Sequence, residues 1–171
     1  NGVHATVIDP GDDVPVISVL EQRGLSLTHI LITHHHADHI GGVNRLIDQF
    51  SPKVYAPEKE QYSFPHICVS DQQTLHIKDL NISFEVIDVG GHTLGHVAYY
   101  GANSLFCGDT LFGGGCGRIF EGTPTQMFTS LRKIANLPIE TSVFCAHEYT
   151  EHNLQFAKSV EKNNPDLIER I

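Results

Sequence analysis

Four of the chain's twelve histidines fall in one six-residue stretch, His34-His35-His36-Ala37-Asp38-His39, with an aspartate among them. In an extended segment residues i and i+2 face the same way, so His34 and His36 can chelate one ion while His35 points opposite. Asp38 and His39 fall on the following turn and could face a second ion. Imidazole and carboxylate together suit zinc, iron or manganese. A solvated polar loop or a tag remnant would also place histidines together. A tag, however, sits at a terminus and carries neither an aspartate nor the glycine pair Gly41-Gly42 that follows here.

Three further candidates each follow a predicted strand: His92 after Asp88-Val89-Gly90-Gly91, Asp109 after Leu105-Phe106-Cys107-Gly108, and His147 after Val143-Phe144-Cys145-Ala146. Strand ends are where a sheet protein gathers a site from distant sequence. Singly, each reads as an ordinary hydrogen-bonded residue or cap. Together with the first cluster they supply five histidines and two carboxylates, enough for two metals. His92 and His96 are four apart, which would make a two-histidine face on a helix. The intervening Thr93-Leu94-Gly95 is poor helix, so His92 reads as the ligand and His96 as a supporting or structural residue. His4, His29, His66, His76 and His152 carry no such pattern.

The elements that must position these groups are legible in outline. Val3 to Ile8 alternates like a strand and ends at Asp9-Pro10-Gly11-Asp12, a turn signal. Asp12 or Asp13 can cap a helix that stops at Gly24. Leu27 to Ile32 reads as a buried strand, and Val43, Leu46, Ile47 and Phe50 follow helical spacing. Strands are expected at Lys53 to Ala56, Ile67 to Val69, Leu80 to Val89 and Val143 to Ala146, with a hairpin of His96 to Tyr100 and Ser104 to Cys107. After the glycine-rich loop Gly113 to Gly117, Thr123, Pro124 and Gln126 spell a capping box. A last helix is expected over Glu151 to Lys162. Strands outnumber helices and many are joined as hairpins, which departs from a strictly alternating βαβ order and fits sheets with helices packed outside.

With 171 residues, 40% of them hydrophobic and 18% charged, the chain is long enough for one folded domain, 1–171. Twenty acidic against eleven basic residues, a formal charge of −9, argue against a nucleic-acid partner held by phosphate contacts. The apolar runs are too short to cross a membrane. Four dispersed cysteines in or beside apolar stretches read as small buried hydrophobes in a reducing compartment, the cytoplasm. The chain begins at Asn1, already in what reads as strand, so residues are expected upstream, where any targeting segment would lie.

Thr33-His34-x-His36-x-Asp38-His39 resembles the metal-binding signature of the metallo-β-lactamase superfamily, and Asp9-Pro10-Gly11 its early turn. Gly91 to His96, Cys107-Gly108-Asp109-Thr110, Gly115-Cys116-Gly117-Arg118, Glu121-Gly122-Thr123 and Ala146-His147-Glu148-Tyr149-Thr150 resemble bacterial glyoxalase II, the hydroxyacylglutathione hydrolases. The resemblance implies an α/β (α+β) fold, a four-layer αββα sandwich. It implies two divalent ions, zinc or else iron or manganese, the first on His34, His36 and His92, the second on Asp38, His39 and His147, with Asp109 bridging. The implied reaction is attack of a metal-bridging hydroxide, oriented by the catalytic Asp38 and Asp109, on S-D-lactoylglutathione. It yields glutathione and D-lactate, in methylglyoxal detoxification.

Arg118 and Tyr149 match family contacts to the tripeptide, and Phe120 stands where some members have tyrosine. The resemblance further implies a strand before Asn1 and a helical region after Ile171 that adds basic substrate contacts. The chain is therefore read as clipped or as a short form, with its metal centre intact and its glutathione binding weakened. The expected partner is the small-molecule glutathione thioester, with no nucleic acid, no membrane and a monomeric chain. The alternatives within the superfamily are a mononuclear-iron persulfide dioxygenase, which needs one metal, a β-lactamase, which commonly has cysteine where Asp109 stands, and a nuclease. Outside it, the alternative is a non-catalytic metal-binding module.

Overall fold

A computed structural model describes residues 3–171. Asn1 and Gly2 fall outside them, and with them the reading of strand at Asn1. The first half runs β1 (His4–Ile8), α1 (Asp13–Arg23), β2 (Ser26–Leu31), α2 (Ala37–Ile40), α3 (Val43–Phe50), β3 (Lys53–Pro57) and β4 (Ile67–Val69). The second runs β5 (Thr74–Ile77), β6 (Ile82–Asp88), β7 (Val97–Gly101), β8 (Ser104–Gly108), β9 (Leu111–Phe112), β10 (Gly115–Cys116), α4 (Pro124–Ala135), β11 (Ser142–Cys145), α5 (Thr150–Val160) and α6 (Pro165–Arg170).

The first sheet has the order β1-β2-β3-β4, and every neighbouring pair is parallel. Parallel pairing needs a crossover; α1 supplies it between β1 and β2, and α2 with α3 between β2 and β3. The second sheet, β11-β8-β7-β6-β5, is an antiparallel meander from β5 to β8, with β11 added parallel to β8 after α4. The hairpins expected from the sequence are thus confined to the second half, and the first half is βαβ in character.

Alternation along the strands builds three cores and so four layers. Val54 and Ala56 of β3 face Leu20, Val43 and Leu46 of α1 and α3. Leu31 and Val69 of the first sheet meet Leu75, Phe84, Val86, Val97 and Tyr99 of the second. On the far side, Ala98, Leu105 and Cys107 pack with Ile134 of α4. This is the αββα arrangement.

Helix ends follow their signals. The Asp12 side chain accepts from Val14 N–H, Gly24 closes α1 in the left-handed conformation, and the Thr123–Gln126 capping box is formed. Three readings are corrected. The strand expected at Leu80 to Val89 is β6 but starts at Ile82 and ends at Asp88, because Leu80 closes a 3-10 turn and Asn81 is left-handed (φ 53°); β5, before that turn, is a further strand. The last helix ends at Val160, and Asn164 caps a further helix, α6, that begins at Pro165. Only Cys107 is a buried thiol; Cys68, Cys116 and Cys145 are exposed.

Candidate metal centre

The candidate groups sit at the carboxyl ends of strands in both sheets: the loop after β2 carries His34 to His36, the short helix α2 that follows carries Asp38 and His39, and β6, β8 and β11 lead to His92, Asp109 and His147. The sheets are tied together beside them, since the buried Tyr99 hydroxyl donates to Ile32 C=O at 2.7 Å and Val97 N–H to Thr33 C=O at 3.0 Å. At the end of β8 the chain turns into the site through Gly108, whose φ of 47° disfavours any other residue. A Cβ there would also strike the Thr33 hydroxyl and the His96 ring.

His34, His36 and His92 form one group. His36 Nδ1 lies 3.1 Å from His34 Nε2 and 3.0 Å from His92 Nε2. Asp38, His39 and His147 form a second, adjoining group, with His147 Nε2 3.2 Å from Asp38 Oδ2. Asp109 lies between them: Oδ1 is 3.2 Å from His39 Nε2 and 3.5 Å from His147 Nε2, while Oδ2 is 3.4 Å from His92 Nε2. All seven predicted residues therefore come together. His35 points away toward Glu60 and Glu121. His96 is fully buried behind the centre, where Nε2 accepts from Asp109 N–H at 3.1 Å.

Asp9, which the sequence presented as a turn residue, holds this arrangement from behind. Its Oδ1 accepts from Thr33 N–H at 2.7 Å, and its Oδ2 from the Thr33 hydroxyl at 2.6 Å and His39 Nδ1 at 2.9 Å. With the Thr33 proton spent on Asp9, Thr33 Oγ1 is free to accept from His34 Nδ1 at 3.0 Å. His92 Nδ1 donates likewise to Arg118 C=O at 2.6 Å. Each of these rings has its outer nitrogen tied to an acceptor, which turns Nε2 toward the centre. Asp9 also lies within reach of His34 and His39 as a possible ligand, but its oxygens are already occupied by these donors. Its sequence signals are an aspartate directly after a predicted strand and the likeness of Asp9-Pro10-Gly11 to the superfamily's early turn, neither of which shows what it holds.

The donor set fits metal ions. His39 Nε2 and Asp109 Oδ1 are buried without a hydrogen-bond partner although 3.2 Å apart, as expected of groups aimed at a shared cation and not at each other. His36 Nδ1, 3.1 and 3.0 Å from the His34 and His92 nitrogens, also matches the spacing of neighbouring donors on a tetrahedral site with metal–nitrogen bonds of about 2.0–2.1 Å. Burial, then the neighbouring His96, His39 and His92, drives the His34 pKa far down and keeps its lone pair free. His36 is lowered by burial and by His92. Burial also opposes charge on His39, but its contacts with Asp109 and Asp9 outweigh this and raise it to about 10. Burial likewise opposes ionisation of Asp109, and His39 and the other rings overcome it, so its pKa is lowered.

The rim carries the three residues assigned to substrate. Phe120 lies edge-on to His36 and His92, at 5.4 and 5.2 Å, and the Arg118 guanidinium sits 5.2 Å above its ring. Tyr149 packs against Phe112 at 5.3 Å and lies 5.5 Å from His147. Arg118 and Phe120 therefore border the first group, and Tyr149 the second.

Residues 2–147 match the metallo-β-lactamase superfamily, and the chain belongs to that superfamily, a fold that implies binding of divalent metal. The solved structure of BLEG-1, a B3 metallo-β-lactamase, superimposes with a TM-score of 0.78 at 30% identity, covering 96% of this chain and 88% of that one. More similar in sequence are hydroxyacylglutathione hydrolases. That of Methylobacillus flagellatus is 57% identical over 167 residues, 98% of this chain and 67% of that protein. That of Nitrosomonas eutropha is 50% identical over 168 residues, 98% of this chain and 66% of that protein. The chain spans about two thirds of the length of these relatives.

Proposed function

We propose that the chain carries the centre of a dinuclear metal thioesterase that hydrolyses S-2-hydroxyacylglutathione, S-D-lactoylglutathione foremost, in methylglyoxal detoxification. The observation that carries this reading is the pair of adjoining His/Asp groups with Asp109 between them. It is supported by similarity to hydroxyacylglutathione hydrolases over nearly the whole chain. His34, His36 and His92 would hold one divalent ion, Asp38, His39 and His147 the other, and Asp109 both; zinc is the first choice, with iron and manganese compatible. Such ions supply Lewis-acid charge and a nucleophile at neutral pH, since one zinc lowers the pKa of water from 15.7 to about 7.

The protein's own groups would then orient the reactants. Asp38, exposed beside His147, and Asp109 would accept hydrogen bonds from the attacking water. The Arg118 guanidinium, held over Phe120, is placed to take a glutathione carboxylate through two parallel hydrogen bonds. Tyr149 offers its hydroxyl from the opposite rim. In the reaction the water oxygen bonds to the acyl carbon, the carbon–sulfur bond breaks, and the sulfur leaves as thiolate. Because a thiol ionises near pH 8.5, about one and a half units above neutrality, departure needs no dedicated acid.

The test is hydrolysis of S-D-lactoylglutathione measured against metal content. Two equivalents of metal, activity lost to a chelator and restored by zinc, iron or manganese, are expected. One equivalent would favour single-ion chemistry, and full loading without turnover, in the longer protein as well, would overturn the thioesterase reading.

A further inference from the structure

Glu60 lies in the loop between β3 and β4, and its side chain is only 3% exposed. A carboxylate so deeply placed requires donors, and it finds them in three parts of the chain. The Thr93 hydroxyl donates to Oε1, the Tyr62 hydroxyl donates to Oε2 at 3.1 Å, and His35 Nδ1 lies 3.1 Å from Oε2. His35 stands between His34 and His36, and Thr93 directly follows His92. Glu60 therefore touches both loops that supply the first ligand group. Its stem lies so close over Gly95 that a Cβ there would collide with Glu60 Cγ. Glu121 closes the same bracket from outside: Oε1 is 3.4 Å from His35 Nε2, and Oε2 accepts from Leu94 N–H at 2.8 Å.

We propose that Glu60 is a positioning residue for the His34/His36/His92 group, a bracket that fixes the loop after β2 against the turn after β6. This rests on the metal reading above. The two loops belong to different sheets, so no ladder hydrogen bond sets their separation. The three nitrogens must nevertheless keep a spacing of about 3 Å to share an ion. Hydrogen bonds to a charged acceptor are the stronger kind, and inside the protein they resist the small displacements that would spoil that spacing. In the second group, on the other side of Asp109, His39 is held by Asp9.

The test is a titration of metal-free chain with zinc under a competing chelator, reading two affinities, for wild type, Glu60→Gln, Thr93→Val and Thr93→Ser. Glu60→Gln keeps the shape and removes the charge, Thr93→Val keeps the volume and removes the hydroxyl, and Thr93→Ser restores the hydroxyl. We expect wild type and Thr93→Ser to bind two equivalents tightly. Glu60→Gln and Thr93→Val should bind one as wild type does and the other about 10–100-fold more weakly, the usual effect of removing a group that orients a ligand. Unchanged affinities in both variants overturn the role of Glu60 while leaving the metal centre standing. An equal loss at both groups that follows a lowered urea midpoint makes Glu60 a general stabiliser and overturns it too. A wild-type chain that takes up no zinc overturns the metal reading and the bracket with it.

Discussion

Replacing Asp9 should damage both ligand groups at once, although Asp9 is assigned to neither. It holds His39 directly and His34 through Thr33. Asp9→Ala removes the acceptor of Thr33 N–H, the Thr33 hydroxyl and His39 Nδ1. The hydroxyl can rotate to another partner, so two buried donors are stranded at about 1–3 kcal/mol each, a loss of roughly 2–6 kcal/mol in folding stability. Alanine at a φ of 49° adds about 1–2 kcal/mol. Asp9→Asn separates orientation from stability, because asparagine tolerates this backbone and its carbonyl can still serve Thr33. An amide NH2 facing His39, however, pushes the ring proton from Nδ1 to Nε2, the atom aimed at the centre. Metal affinity should then fall about 10–100-fold with a much smaller loss of stability. Urea unfolding of metal-free protein and zinc titration under a competing chelator measure the two quantities. Wild-type zinc affinity in Asp9→Asn, or a loss below about 1 kcal/mol in Asp9→Ala, would refute the chain of hydrogen bonds from Asp9 to the two rings.

Metal uptake should release protons, because His39, raised to about 10 in the metal-free chain, must give up the one on Nε2. The raised pKa stabilises the metal-free fold fully below the unfolded value of about 6.5, and this contribution is lost as pH rises through about 10. Zinc affinity should therefore climb by about tenfold per pH unit for each displaced proton across that window, and titration in weak buffer would detect the release. Gly108→Ala should cost well beyond the roughly 1–2 kcal/mol of a left-handed alanine, since its methyl also meets Thr33 and His96; a urea midpoint near wild type would contradict the packing at the end of β8. Cys107, pushed up to about 12 by burial, should resist iodoacetamide at pH 8 while the exposed Cys68 and Cys145 react, as peptide mass spectrometry would show. Equal labelling in the native protein would place Cys107 outside the core.

The candidate ligands were legible because chelation imposes its own spacing. Two imidazoles on one extended segment must be two residues apart, and His34 and His36 are. The turn that follows must carry the next donors, and Asp38 and His39 do. Helix α4 was legible for a similar reason, since a capping box occupies fixed positions and Thr123 and Gln126 fill them. The losses occur where order depends on partners and not on local pattern. β5 is four residues long and finds its place by pairing with β6, and β9 and β10 are two-residue strands around a glycine-rich turn that pair with each other and are held by Asn153 of α5, which donates to Gly113 C=O. The exposed cysteines show the same limit: Cys145 lies in an apolar stretch, but β11 is exposed along its length, which hydrophobic neighbours in sequence do not reveal.

The same distinction separates the ligands from the residues that aim them. Asp9 acts on His39 thirty positions later, and Glu60 acts on Thr93 thirty-three positions later. Neither bears any spacing relation to the motif it supports, because a hydrogen bond through the fold demands only that two atoms meet. Both are carboxylates just past a strand, a placement shared by many surface turn residues, so only the three-dimensional neighbours distinguish them. A metal centre built this way has two kinds of sequence constraint. The ligand positions are tied to one another by coordination geometry, while the supporting positions are tied to the placement of whole strands. A homologous centre could therefore keep all seven ligands and recruit its supporting carboxylates from other loops. The order in which substitutions disturb metal affinity in this chain would then follow contact with Asp9 and Glu60, and not distance along the sequence from the histidines.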